Sequence, residues 1–526
     1  MYCVSVTVLT LSALLSLTSS EMFTSSNKVQ RMVMDEERML GELKLFIDQK
    51  YDWLKKMSIF YFDRLRDVKF RDDSLEGHDL YHPNTMYLAI QKFANDYSPV
   101  LGNNLQNFLN IQRESGQIFL ADKDDIAGAR KSLVILQVVF KMSALDMARG
   151  DYLGFQGPPL KSNDAILIGA RAFSEEHFNE CIEWMNASIT LYNSTDSTSL
   201  ATIPEITAVM GRAYLRLGDR ARAEQIYDEV KLLEPAGDEV GALGHELNNQ
   251  VEFEFEFEPP DETFQNYSRL CRLENRHHIP DPNNPRLVCR YRETLLPYYR
   301  FKEEILSVAP FVSVIYNVIS DAEGDHLKGF VSDKLQRGQI QGIKAIASDI
   351  RTSDLAWIGD QMSGQVSNIS KRIGYITGLD TSQRKPDGLT SAEDFQVVNY
   401  GLGGRYEPHT DPVMNPPPWV KRSGHRLATF LIYLSDVQRG GSTVFPKIGI
   451  AVAPVKNMAL FWYNFDPAYE VDLLTKHGGC PVLYGHKWIC TKWIWTYGNT
   501  LRRRCGLTPE ATQLDIEPDI KRGYKS

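Results

Sequence analysis

Residues 400–411 read YGLGGRYEPHTD. On an extended strand, side chains alternate between faces, so His409 and Asp411 point one way and Thr410 the other. A histidine and a carboxylate on one face are two parts of a facial triad, the two-His-one-carboxylate set that holds ferrous iron and leaves positions open. The same pair is also an ordinary polar strand end, so the reading turns on a third ligand. His477 is the candidate, following the β-rich run that ends at Tyr463. Ten residues further on, Lys487 stands beside Trp488 and Ile489 in GHKWICTKWIWTYG. A lysine in so aromatic a strand is suited to meeting a buried carboxylate. Metal ligands, a late histidine and a lysine anchor together describe a site for iron and a small dicarboxylic acid.

Around this stretch the chain is β-rich. Short apolar runs at 395–400, 427–434, 443–445, 458–463 and 487–496 are separated by glycine- and proline-rich turns, which predicts a β-sandwich or jelly roll, here a double-stranded β-helix. The catalytic domain is expected over 305–510, with a tail over 511–526. Upstream the pattern is helical, so the fold class is multidomain α + β. At 526 residues, roughly two to four domains are expected.

Residues 21–145 carry an apolar stripe through Leu40, Leu43, Ile47, Leu54, Met57 and Tyr61, spaced mostly by three and four. Pairing with another copy of the chain and packing inside a bundle both explain it, and the region is expected to be a dimerisation region. A second periodic run spans 125–148. Residues 146–245 hold a tetratricopeptide-like repeat signal. Gly211, Ala213 and Ala223 fall where two helices cross, Gly218-Asp219 at the turn and Pro235 at the stop, with a looser copy over 164–192. Such helix pairs stack into a concave groove. Tyr192 and Tyr214 are the candidate groove residues for a proline-rich peptide, since tyrosine rings pack well on a pre-formed polyproline II helix. The stretch VEFEFEFE at 251–258 is an acidic linker or a strand edge, within a linker expected over 246–304.

A net charge of −9, with 43% apolar and 24% charged residues, argues against a primary nucleic-acid role. Residues 1–20 read as a secretory signal peptide, and no later stretch is long and apolar enough to predict a membrane span. Cys181, Cys271, Cys289, Cys480, Cys490 and Cys505 remain beyond it, where disulfides are permitted. Local pairs Cys271–Cys289 and Cys480–Cys505 are expected, with other pairings open. Asn186, Asn193, Asn266 and Asn368 each begin a glycosylation sequon.

Five stretches carry a resemblance: YGLGGRYEPHTD at 400–411, HRLATFLIYLSD at 425–436, RGGSTVFP at 439–446, ALFWYN at 459–464 and HGGCPVLYGHKWICTKW at 477–493. The opening EMFTS at 21–25 agrees with them. The chain resembles the α subunits of collagen-type prolyl 4-hydroxylases, which are Fe(II)- and 2-oxoglutarate-dependent dioxygenases. The likeness is strongest over 346–505 and architectural over 21–245. It implies that His409, Asp411 and His477 ligate Fe(II), and that Lys487 pairs with the distal carboxylate of 2-oxoglutarate. It implies that Tyr400 and Thr429 hydrogen-bond the same carboxylate, and that Tyr406 and Trp493 contact the substrate proline. The implied reaction uses O2 and 2-oxoglutarate, with L-ascorbate, to hydroxylate peptidyl proline at C4, releasing succinate and CO2. The implied partner is protein disulfide isomerase, as the β subunit of an α2β2 tetramer in the endoplasmic reticulum lumen. Two alternatives stand beside this: a non-catalytic binder of proline-rich peptides, and a hydroxylase acting on another residue. Thr410, Pro412 and, where the family has histidine after the apolar Ile494, Trp495 depart from the family pattern, all near the substrate side.

Overall fold

A computed structural model describes residues 25–47, 79–97, 121–193, 199–248, 261–273, 276–294, 296, 298–337, 352–383, 388–412, 424–508 and 510–517. The expected signal peptide, the acidic stretch at 251–258, and Leu54, Met57 and Tyr61 lie outside these residues.

The N-terminal part is helical: α1 (Ser26–Ile47), α2 (Pro83–Lys92), α3 (Lys123–Phe140) and α4 (Ala144–Ala148). A capping box starts α3, where Asp122 and Asp125 each accept the other's backbone N–H. Val29, Met32, Met39 and Leu40 of α1 share a core with Tyr87 and Ile90 of α2 and Leu133 and Leu136 of α3. Of the apolar stripe, Leu40 is therefore used inside the chain.

A hairpin of β1 (Asp151–Tyr152) and β2 (Phe155–Gln156) leads into α5 (Ser162–Ser174), α6 (Phe178–Thr190), α7 (Ile203–Arg216), α8 (Arg220–Leu233) and α9 (Asp238–Asn248). Helix α5 packs on α6, α6 on α7, and α7 on α8 and α9. Thr202 and Glu205 box the start of α7, with Pro204 in its first turn. Gly211, Ala213 and Ala223 are buried. Tyr214 is half-buried against two cores, and Tyr192 is half-buried just past the end of α6. Asn186, Asn193 and Asn368 are exposed and Asn266 is half-buried.

Helix α10 (Glu262–Cys271) joins this region to the β-structure. The strands are β3 (Cys289–Glu293), β4 (Arg300–Val308), β5 (Phe311–Tyr316), β6 (Gln336–Arg337), β7 (Asp354–Ile358), β8 (Phe395–Tyr400), β9 (Tyr406–His409), β10 (Arg426–Tyr433), β11 (Arg439–Gly440), β12 (Thr443–Phe445), β13 (Ile450–Val452), β14 (Ala459–Tyr463), β15 (His477–Gly479), β16 (Val482–Tyr484) and β17 (Lys487–Trp495). Nine form one antiparallel sheet in the order β3-β4-β5-β14-β10-β17-β8-β7-β6. Four form a smaller sheet, β13-β12-β15-β9. Leu431, Tyr433, Leu460, Trp462 and Ile489 from the large sheet share a core with Phe445, Ile450 and Val452 from the small one. The two sheets pack face to face, consistent with the jelly roll of a 2-oxoglutarate oxygenase.

The far face of the large sheet is covered by α11 (Asp321–Val331) and α12 (Gly364–Thr377). Val366, Ile369, Ile373 and Ile376 of α12 are buried against Phe430, Ile432, Cys490 and Ile494. Each fully buried aliphatic side chain contributes roughly 1.5–3 kcal/mol relative to exposure. Strand β17 is buried along both faces, which is why apolar and aromatic residues fall on both of them around Lys487, Thr491 and Lys492.

Two expectations need correction. The sheet begins before residue 305, because β3 pairs with β4, and β4 with β5, inside it. The disulfide joins Cys271 to Cys480, across 209 residues. It excludes both local pairs, and Cys289 and Cys505 are free and exposed. The long pairing forms because α10 lies against the small sheet, where the Tyr267 hydroxyl donates to the Gly479 carbonyl at 2.9 Å.

Candidate active site

Strands β9 and β15 lie side by side in the small sheet, with His409 directly opposite His477. Asp411 follows just past the end of β9. The result is one cluster in which the ligating atoms of His409, Asp411 and His477 all lie within 4.8 Å of one another. His409 Nε2 is 3.8 Å, and His477 Nε2 3.9 Å, from Asp411 Oδ1. Two atoms each about 2.1 Å from a shared metal are themselves separated by roughly 3–4 Å.

The tautomers follow from the second ring nitrogens. His409 Nδ1 is 2.8 Å from the Glu407 carbonyl, and His477 Nδ1 is 3.0 Å from the Thr475 carbonyl. A carbonyl only accepts, so each Nδ1 carries a proton, which leaves Nε2 as the nitrogen that each ring would offer a metal once unprotonated. Asp411 is buried, which raises its pKa. His477, His409, Arg426 and the Thr429 hydroxyl more than offset this and hold the carboxyl below its usual range.

Glycines permit the close packing around this cluster. A Cβ on Gly401 would stand 2.5 Å from the backbone nitrogen of Ser26 at the start of α1. A Cβ on Gly478 would meet the Tyr267 ring and the Tyr406 carbonyl at 3.0 Å. The glycine-rich lead into β9 thus seats the N-terminal helix against the strand that carries Tyr400. Lys28 pairs there with Asp354 at 2.8 Å.

The cavity beside the triad is lined by Tyr400, Tyr406, Thr429, Leu431, Thr443, Trp462, Ile489 and Trp493 as well as Lys487. Lys487 sits opposite Tyr400 in the β8–β17 register. Its Nζ is 5.1 Å from the Tyr400 ring and 5.9 Å from the Tyr433 ring. Among the described residues no carboxylate pairs with it, and burial lowers its pKa to about 7. A buried cation without a counter-ion is costly, and a bound carboxylate removes the cost.

Thr429 is engaged with its neighbours in the site. Its hydroxyl donates to Asp411 Oδ2, and its oxygen accepts from Asn464 Nδ2 at 3.0 Å. A threonine has a single proton to give, and here it goes to the Asp411 carboxylate. Asn464 is itself fixed, accepting from Trp462 Nε1 at 2.8 Å. Thr443, which the sequence reading passed over, offers a hydroxyl in the cavity, held by Tyr433 at 2.8 Å. Its signal was its place in RGGSTVFP, facing inward on a short strand.

On the outer side, the Tyr406 ring stacks on His409 at 3.6 Å between centroids. The Arg426 guanidinium lies 3.8 Å over Trp493 and is held by a two-point contact with Glu393 at 2.6 and 2.9 Å. Trp493 lies directly across from Thr429. Trp495, on the same face of β17, is buried. Tyr192 and Tyr214 do not line this cavity.

Comparison with known proteins agrees with this geometry. Residues 395–495 match the model of the 2OG-Fe(II) oxygenase superfamily, and residues 25–154 that of the prolyl 4-hydroxylase alpha-subunit N-terminal region. The chain is 30% identical to prolyl 4-hydroxylase subunit alpha-2 of Gallus gallus, over 93% of this chain and 96% of that one. It is 29% identical to subunit alpha-3 of Homo sapiens, over 93% and 94% respectively. A viral collagen prolyl hydroxylase from Paramecium Bursaria Chlorella virus-1, solved as a 2OG complex, is 25% identical over 35% of this chain and 95% of its own, with a TM-score of 0.28. By its full-length relatives, this chain belongs to the family of prolyl 4-hydroxylase α subunits.

Proposed function

We propose that this chain is the catalytic subunit of a peptidyl-proline 4-hydroxylase that consumes O2 and 2-oxoglutarate. The observation that carries the reading is Lys487, a buried amine with no carboxylate partner among the described residues, lining the cavity that also holds the His409–Asp411–His477 cluster. Two neutral imidazoles and one carboxylate fit Fe(II) and leave positions for a chelating 2-oxo acid. When bound, the iron supplies oxygen activation coupled to decarboxylation of that acid.

The chain's own residues do the rest. Lys487 takes the distal carboxylate, with Tyr400 and Thr443 at the same end of the cavity. Leu431, Trp462 and Ile489 keep water from the reacting atoms. Tyr406, stacked on a metal-binding imidazole, and Trp493, fixed by Arg426, form two aromatic walls where a proline ring presents C4. Such walls suit proline, which is apolar and conformationally pre-ordered. The paired helices α5 to α9 are assigned to gripping the rest of a proline-rich or collagen-like peptide.

The apolar leader, the disulfide and the family membership support residence in the endoplasmic reticulum lumen with protein disulfide isomerase as β subunit. The test is Fe(II)-dependent 2-oxoglutarate decarboxylation by protein co-produced with that isomerase. Stimulation by a Pro-Pro-Gly repeat peptide is expected. Stimulation by lysine-containing peptides instead would overturn the substrate assignment, and iron-independent behaviour throughout would overturn the enzyme reading.

A further inference from the structure

Lys487 is the first residue of β17, separated by only Gly485 and His486 from the end of β16 at Tyr484. A slip of one residue in a strand turns every side chain to the opposite face. Lys487 would then leave the cavity for the core that holds Trp488 and Cys490. Whatever fixes this short turn therefore fixes the ammonium.

The turn is held from two sides. On the sheet side, the Ser435 hydroxyl donates to the His486 carbonyl at 3.1 Å and accepts from the Trp488 N–H at 2.8 Å. On the other side the contacts come from the N-terminal region, more than 300 residues away in sequence. Tyr81 stacks on His486 with centroids 4.4 Å apart and ring planes at 24°. Phe155 stacks on Tyr484 at 4.4 Å and 17°. The His82 ring meets Tyr484 edge-on at 6.2 Å, and the Gly485 N–H donates to the Tyr81 carbonyl at 3.4 Å. His82 is itself locked: its Nδ1 accepts from the Asn84 N–H at 3.2 Å, so its Nε2 donates to the Gly150 carbonyl at 3.1 Å. Leu483, just before the turn, is fully buried in the core shared with α1 to α6.

We infer that Tyr81 and Phe155 are positioning residues for the co-substrate anchor, acting through His486 and Tyr484 to hold Lys487 in the cavity. The N-terminal region is on this account part of the 2-oxoglutarate site, although none of its residues lines the described cavity. The inference rests on the reading that Lys487 binds 2-oxoglutarate.

The experiment uses full-length protein co-produced with protein disulfide isomerase and loaded with Mn(II). Titration calorimetry measures 2-oxoglutarate and Mn(II) affinity for wild type, Tyr81→Ala, Phe155→Leu and the ring-preserving control Tyr81→Phe. Loss of one aromatic stack is expected to weaken 2-oxoglutarate binding by about three- to tenfold. Mn(II) affinity is expected to stay unchanged, and Tyr81→Phe to match wild type. If Tyr81→Ala does not fold, Phe155→Leu carries the same expectation. Unchanged 2-oxoglutarate affinity in a folded variant, or an equal loss of Mn(II) affinity, would overturn the positioning role. If wild type itself bound no 2-oxoglutarate, the functional reading would fail separately. Amine labelling of Lys487 in the ligand-free protein, read by mass spectrometry, would then decide the clamp. Faster labelling in the variants supports it, and equal labelling refutes it.

Discussion

The hydroxyl of Thr429 donates to the carboxylate of Asp411. Asn464 and Trp462 extend this contact into a chain of hydrogen bonds that ends in the core between the sheets. An outer partner of this kind orients a metal ligand, and its removal typically costs about 10–100-fold in metal affinity or activity. Thr429→Val keeps the shape and removes the donor. It is expected to weaken Fe(II) or Mn(II) binding by about tenfold while the KM for 2-oxoglutarate stays near wild type. Direct metal titration checks this. A variant with normal metal affinity and a raised 2-oxoglutarate KM would restore Thr429 to the role of co-substrate ligand.

The buried Lys487 predicts a pH signature in the ligand-free protein. Its folded pKa is about 7, against about 10.4 when unfolded. Between those values the unfolded chain holds the extra proton, so stability rises with pH across that window. Lys487→Met removes the effect, and its stability relative to wild type is expected to be greatest below pH 7 and to shrink towards pH 10. Denaturant midpoints at several pH values test this, and parallel curves for the two proteins would contradict it. The same titration makes 2-oxoglutarate affinity fall by up to about tenfold per pH unit above 7, because the anchor must regain its proton to bind.

Helix α10 is tied to the strand that carries His477. Peptide mapping without reductant is expected to recover a fragment linking Cys271 to Cys480. Cys480→Ser is expected to cost about 2–5 kcal/mol in denaturant unfolding. Recovery of a Cys271–Cys289 fragment would show that α10 is not pinned to the small sheet in this way.

Tyr406 covers the imidazole of His409 and stands where the peptide would enter. Tyr406→Ala is expected to raise the peptide KM by about tenfold or more, with peptide-independent 2-oxoglutarate turnover retained. Equal loss of both activities would mark Tyr406 as a support for the metal site instead.

The sequence made the site more legible than the surrounding architecture. Runs at 395–400 and 443–445 match β8 and β12 residue for residue, because buried strands bounded by turns carry their own signal. His409, Asp411 and His477, named together by the resemblance, do lie in one cluster, and Lys487 lines the same cavity. Helix α12 was not read, although Val366, Ile369, Ile373 and Ile376 have helical spacing. Its Ser-, Gly- and Ile-rich composition is poor in strong helix formers, and packing on the sheet decides the outcome. Thr429 was read toward the co-substrate carboxylate, whereas its hydroxyl here donates to Asp411, a partner that strand alternation alone does not reveal. The Cys271–Cys480 link was unreadable for another reason: no local spacing reveals that α10 returns to β15.

The central claim is that the His409–Asp411–His477 cluster and Lys487 form one working centre for proline hydroxylation. The most direct measurement is product analysis of a Pro-Pro-Gly repeat peptide turned over with Fe(II), 2-oxoglutarate and O2. Mass spectrometry and amino-acid analysis are expected to find 4-hydroxyproline in equal amount to succinate. His477→Ala, still folded, is expected to produce neither. Succinate formed without hydroxyproline, or hydroxyproline formed by His477→Ala, would contradict the account.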